Sequence, residues 1–98
     1  MNFAEYETED RRLVILRGLE SATQYRANAF LIRRYCDALA HVVSGDRIEQ
    51  DLAWLAEQGL LTVEKPEGVT VATLTARGLD VAGGRTRVPG VARPQPGE

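Results

Sequence analysis

The sequence predicts an α+β domain, mainly α, in which three helices are followed by a β-hairpin and a short fourth helix. Three observations carry that prediction. Apolar residues recur at helical spacing in three stretches before Gly59. Two β-branched runs, 60–64 and 69–74, flank the turn chemistry of Lys65-Pro66-Glu67-Gly68. Each helical stretch is preceded by Asn, Ser or Thr, side chains that accept from the first free amides of a helix. A length of 98 residues allows one domain.

Asn2-Phe3-Ala4-Glu5 has the form of a capping box, with Asn2 accepting from the Glu5 amide. Phe3, Tyr6, Leu13, Leu16 and Leu19 follow on one helical face, and Glu7, Glu9 and Asp10 precede Arg11, Arg12 and Arg17 in the sense the helix dipole favours. The first helix is expected over 3–20. The connector 21–27 includes Tyr25-Arg26-Ala27, long enough for a minimal strand. Asn28 caps a second helix, 29–41, apolar on Leu31, Ile32, Tyr35, Cys36, Ala38 and Leu39, with Arg33, Arg34 and Asp37 on the other side. Ser44 caps a third, 45–58, whose Ile48, Leu52, Leu55 and Ala56 repeat at i, i+4, i+7 and i+8; Gly59 stands where a helix ends left-handed. Thr75 caps a short helix, 76–82, closed by Gly83-Gly84. The domain is drawn over 1–84. The tail 85–98 holds three of the four prolines and no apolar period, so it is expected to be extended or disordered.

This order is that of a winged helix-turn-helix: helices 2 and 3 joined by a turn of about three residues, then a two-stranded wing. Composition excludes several other classes. The net charge is −2 and each half of the chain sums to −1, so there is no basic arm. The longest clean apolar run, Leu13–Leu16, is far short of a membrane span, and the N-terminus has no leader pattern, so a cytoplasmic protein of a bacterial cell is expected. One Cys and one His cannot build a structural zinc site, and no cofactor is expected. Cys36 and His41, five apart, lie about 140° from one another on a helix, so they share no face. Cys36 reads as a buried hydrophobe, His41 as a helix-end cation and Ser44 as a cap, which leaves no catalytic centre.

Asp51-Leu52-Ala53-Trp54-Leu55-Ala56-Glu57-Gln58-Gly59-Leu60 resembles the D-L-x-W-L-x-x-x-G-L stretch of winged-helix transcriptional regulators, and 72–82, with Leu74-Thr75 and Arg77-Gly78, resembles the end of their wing. With Glu9–Leu16, Tyr25–Asn28 and Arg87–Val91 included, the whole chain is similar to a family of small proteins of Mu-like phages and prophages, itself likened to ArsR-type regulators. The resemblance implies a winged-helix DNA-binding protein and a regulator of transcription. Metal sensing of the ArsR kind would need clustered ligands such as Cys-x-Cys, which this sequence lacks. Winged helices also bind proteins, so an adaptor in phage assembly or DNA packaging is the alternative, with another phage protein as partner.

For double-stranded DNA the third helix is expected in the major groove. Its open side is read as Asp46, Arg47, Gln50, Asp51 and Trp54, with Arg47 suited to guanine and Gln50 to adenine. Ser44 and the first amides of that helix are suited to a phosphate, as are Lys65 at the wing tip, Arg26, Arg33 and Arg34. Charge opposes this reading: residues 44–58 hold one arginine against Asp46, Glu49, Asp51 and Glu57, a net of −3. The tail, with Arg85, Arg87 and Arg93 against Glu98, offsets part of it. Trp54 has two readings, a flank of the core against the hairpin or an exposed anchor. A homodimer through Phe3, Tyr6 or Leu79 is expected.

Overall fold

Four side chains decide where the helices begin. In the computed structural model, which describes residues 1–96, Asn2, Asn28, Ser44 and Thr75 each accept a hydrogen bond from the backbone amide three residues on. Those amides have no partner within their own helix, so each cap fixes a start. The helices are α1 (Phe3–Ser21), α2 (Ala29–Ala38), α3 (Gly45–Glu57) and α4 (Ala76–Ala82). Between them run β1 (Arg26–Asn28), β2 (Leu61–Glu64) and β3 (Val71–Leu74), with single 3-10 turns at Thr23–Tyr25 and Pro66–Gly68. The protein is α+β and mainly helical.

The sheet is antiparallel in the order β1-β3-β2, with Arg26 opposite Thr73 and Leu61 opposite Leu74. The short strand after α1 is therefore the third member of the sheet, one residue further along than the sequence places it. Leu61, Ala72 and Leu74 point inward, where they meet Ile15, Leu16 and Leu19 of α1, Ile32 and Cys36 of α2, and Ile48, Leu52 and Leu55 of α3. Val81 and Ala82 of α4 close one end.

The passage from α3 through the hairpin to α4 is fixed by one junction. Thr75 Oγ1 donates to the Gly59 carbonyl at 2.8 Å and accepts from the Gly78 amide at 3.0 Å, while Arg77 Nη1 holds the Gln58 carbonyl at 2.8 Å. Gly78 lies so close to the Leu60 carbonyl that a Cβ there would sit 1.9 Å from its oxygen. The Arg-Gly pair is thus accounted for by packing and by satisfying carbonyls at the end of α3.

Two expectations change. α2 stops at Ala38, not at 41, because Ala40 adopts a left-handed φ of 70° and the Leu39 and His41 amides both close on the Cys36 carbonyl. The connection to α3 is consequently longer, running over 39–44. The apolar face of α2 is also only half used: Ile32 and Cys36 are buried, but Leu31, Tyr35, Ala38 and Leu39 remain exposed.

Past Gly84 the chain forms no helix or strand up to Pro96, yet it is part of the packing. Val88 belongs to the core, Arg12 Nη1 donates to the Gly90 carbonyl at 2.9 Å, and the Ala92 amide donates to the Glu9 carbonyl at 3.1 Å. The core therefore continues beyond the boundary drawn at 84; positions 97 and 98 of the tail lie outside the described residues. No helix among the described residues is long and apolar enough to cross a membrane.

Candidate nucleic-acid interface

With Ile48, Leu52 and Leu55 turned inward, α3 presents Asp46, Arg47, Gln50, Ala53 and Glu57 to water. Arg47 and Gln50 are three apart, neighbours on one face. Ser44 is exposed at the head of the helix, where its Oγ accepts from the Arg47 amide at 3.1 Å. Arg33 reaches the same end from α2: its Nε donates to the Val43 carbonyl at 3.0 Å, and its guanidinium lies beside Gly45. The start of α3 thus gathers two exposed guanidiniums, a hydroxyl and helix amides. Beside it opens a groove of about 550 Å³ bordered by Thr8, Arg11, His41, Ser44 and Arg47. Helix amides and guanidiniums together favour an anion.

Two carboxylates counted against such a surface do not face it. Asp51 is only 3% exposed, not on the open side, and it is gripped by Arg11, itself 4% exposed. Arg11 Nε lies 2.5 Å from Oδ2 and Nη2 lies 3.3 Å from Oδ1, a two-pronged pair joining α1 to α3. The spacing carried a signal for this: Asp51 lies about 60° from Ile48 and about 40° from Leu55 around the helix, at the edge of the apolar arc. Glu49 accepts from Thr70 Oγ1 at 2.8 Å and is held toward the sheet. Of the four carboxylates on α3, Asp46, Glu49 and Glu57 are exposed; Glu49 is engaged by Thr70, and Glu57 is at the far end.

Trp54 leaves the proposed contact surface. It flanks the core, but against α1 and the tail, not against the hairpin. The Arg12 guanidinium carbon stands 3.8 Å from the centre of its ring, and Gly90 lies so close that a Cβ there would come within 2.8 Å of it. Burial lowers the Arg12 pKa from its ordinary value, opposed by the charge of Asp51, and Arg12 Nε is buried without a hydrogen-bond partner. Neither Arg12–Trp54 nor Arg11–Asp51 follows from local sequence, because each joins segments some forty residues apart.

The other basic candidates are spread out. Lys65 is exposed at the tip of the β2–β3 hairpin. Arg26 on β1 is paired with Glu64 on β2, which neutralises part of its charge. Arg34 is exposed on the crest of α2, about 100° around the helix from Arg33.

Cys36 and His41 are both buried. Cys36 is fully buried, and desolvation pushes its thiol up from 9.0 to about 11, with Asp51 adding to the rise. His41 does not cap α2; it is buried, and its Nε2 lies 2.6 Å from Asp10 Oδ2 on α1. No group of three or more His, Cys, Asp or Glu side chains that could hold a metal occurs among the described residues.

The chain is 53% identical over 89 residues to an uncharacterized protein, gp26, of Escherichia phage Mu, covering 91% of this chain and 92% of the relative. It is 45% identical over 80 residues to an uncharacterized protein of Haemophilus influenzae, covering 81% and 78%. No family model matches the sequence. No solved structure matches it significantly.

Proposed function

The chain belongs to the family of the phage Mu protein gp26, and we propose that it is a winged helix-turn-helix protein that binds double-stranded DNA and regulates phage or prophage transcription in the host cytoplasm. The observation that carries this reading is the inward turn of Asp51, together with the hold of Thr70 on Glu49, which leaves Arg47 and Gln50 as a neighbouring exposed pair on α3. In this reading α2 and α3 form the helix-turn-helix, and the β2–β3 hairpin is the wing beside it. Arg47 pairs with a guanine edge and Gln50 with an adenine edge in the major groove. Ser44, Arg33 and the first amides of α3 hold a phosphate at the groove's rim, and Lys65 meets backbone further along.

The element order supports the reading, since a helix pair followed by a hairpin packed on the same core puts α3 and Lys65 at separate points along a duplex. The weak charge of the surface predicts modest affinity that is lost quickly as salt rises. Fluorescence anisotropy on a random duplex at low and moderate salt tests it, with Arg47→Ala beside the wild type. Salt-sensitive binding that Arg47→Ala weakens supports the proposal. Absence of any salt-sensitive binding at low salt overturns it and leaves the protein adaptor, the reading favoured by the apolar side chains exposed on α1 and α2.

A further inference from the structure

The outer face of the α1–α2 pair exposes an unusual amount of apolar surface. α1 and α2 run antiparallel, so Phe3 and Tyr6 stand beside Leu39, while Gly18 stands beside Tyr35. Leu31 and Tyr35 occupy consecutive turns of α2 on the side toward α1, and Leu39, the residue that ends the helix, stands beside the start of α1. Phe3 is 75% exposed, Tyr6 57% and Leu31 51%. Together with Tyr35 and Leu39 these side chains leave on the order of 500 Å² in water, toward the upper end for a typical monomer and more than half of the roughly 800 Å² per partner of a stable interface.

The two ends of this face are unlike, and they fit one another. One end is a knob: Phe3 projects from the first turn of α1 with the carboxylate of Glu7 nearby, both exposed. The other end is a hole, an apolar groove of about 170 Å³ lined by Ile15, Gly18, Leu31 and Tyr35 among others, a size that accepts one aromatic ring. Gly18 makes the hole shallow and open, since a Cβ there would strike the Tyr35 ring at 2.8 Å. Arg34 is exposed on α2 one residue before Tyr35 and three after Leu31, the two residues of that helix's outer side that line the hole, and it has no ion pair among the described residues.

We infer that two copies of this chain pack through the α1–α2 face about a two-fold axis, the Phe3 of each entering the Leu31–Tyr35 groove of the other. A two-fold across the helix pair brings knob to hole twice and sets Glu7 of each copy near Arg34 of its partner, so shape, charge and area agree on the same occupant. Asp10, near the middle of the face, is already held by His41, so the axis does not bring two unpartnered carboxylates together. Leu79 takes no part, being packed against the core. The interface does not depend on what α3 binds.

Sedimentation equilibrium on the full chain tests this, with far-UV circular dichroism reporting folding. The wild type is expected to be a dimer. Phe3→Asp and Leu31→Asp are each expected to weaken it by about 30-fold or more with helix content intact, since both side chains are exposed in the single chain. Val63→Ser changes an exposed apolar side chain on β2, outside the face, and is expected to leave the dimer unchanged. Mixing Phe3→Cys with Leu31→Cys chains is expected to give an intermolecular disulfide that neither variant gives alone. A wild type that stays monomeric at millimolar concentration overturns the inference, as does a dimer that survives Phe3→Asp and Leu31→Asp or that fails to cross-link between positions 3 and 31.

Discussion

Arg11 and Asp51, forty positions apart, form a buried two-pronged ion pair that ties the middle of α1 to the middle of α3. A pair of this kind is costly to desolvate, and its stability rests on both partners being present. It also removes a negative charge from the side of α3 that Arg47 and Gln50 occupy, so one contact serves the packing and the electrostatics of the surface.

Asp51→Asn is expected to destabilise the fold by about 3 kcal/mol or more, because the Arg11 guanidinium is left buried without its counter-charge. Replacing both partners together, as Arg11→Met with Asp51→Leu, is expected to recover most of that loss. Urea melts of the single and double variants check it. The same burial overturns the idea that Asp51 repels DNA from the surface of α3: where folding is preserved, the double variant should bind random duplex no more tightly than the wild type does.

Gly78→Ala is expected to cost about 3 kcal/mol or more, since its Cβ has to displace the Leu60 carbonyl, a backbone atom at the entry to the hairpin. Gly68→Ala in the hairpin turn meets nothing within 4 Å, and only the left-handed φ of 77° opposes it. Its cost is set by that strain, about 1–2 kcal/mol. Thermal unfolding of the two variants side by side gives the comparison.

Arg47 and Lys65 are expected to fail in different ways. Arg47→Ala should cost about 1–3 kcal/mol of duplex affinity and relax preference at one base position. Lys65→Ala should weaken all sequences alike and reduce the salt dependence by about one unit of slope. Anisotropy titrations at several salt concentrations, on a selected site and on random duplex, separate the two patterns.

Cys36 predicts a loss of stability in alkali. Burial pushes its thiol from 9.0 to about 11, so between these values the unfolded chain releases a proton that the folded chain keeps. Its contribution is therefore complete below about pH 9 and declines as pH rises toward 11, by on the order of 2 kcal/mol in all. Denaturant melts at neutral and alkaline pH should show the drop in the wild type and a smaller one in Cys36→Ala. In the native state at neutral pH the thiol should resist alkylation, and unfolding should expose it.

Much of the fold is legible because its signals are local. Asn2, Asn28, Ser44 and Thr75 read as caps and act as caps, and Lys65-Pro66-Glu67-Gly68 reads as the turn it makes. Asp51 is less legible: its angle on α3 places it at the edge of the apolar arc, its charge says surface, and only Arg11 on another helix decides for burial. Leu31, Tyr35 and Leu39 fail in the opposite direction, since an apolar stripe has the same period whether it faces a core or another molecule. Trp54 reads as a flank of the core but not as the platform for Arg12, and Arg26 reads as free although Glu64 holds it. The docking of the tail has no period at all. It depends on the side chains of Val88 and Val91 and on hydrogen bonds of the tail backbone to Arg12 and Glu9, contacts that no window of neighbouring residues records.

That docking governs the order in which the protein can be completed. The Arg12–Gly90 hydrogen bond closes a separation of 78 residues, and the Trp54 ring waits on the same segment for its cover. A ribosome delivers α1 early and residues 88–92 late, so during synthesis the flank formed by Arg12 and Trp54 has no lining until Gly90 emerges. Such long-range closure delays folding until nearly all of the described chain is available. A nascent chain stalled before Val88 would present an aromatic side chain and an incomplete core to chaperones and proteases, and the finished chain would hide both.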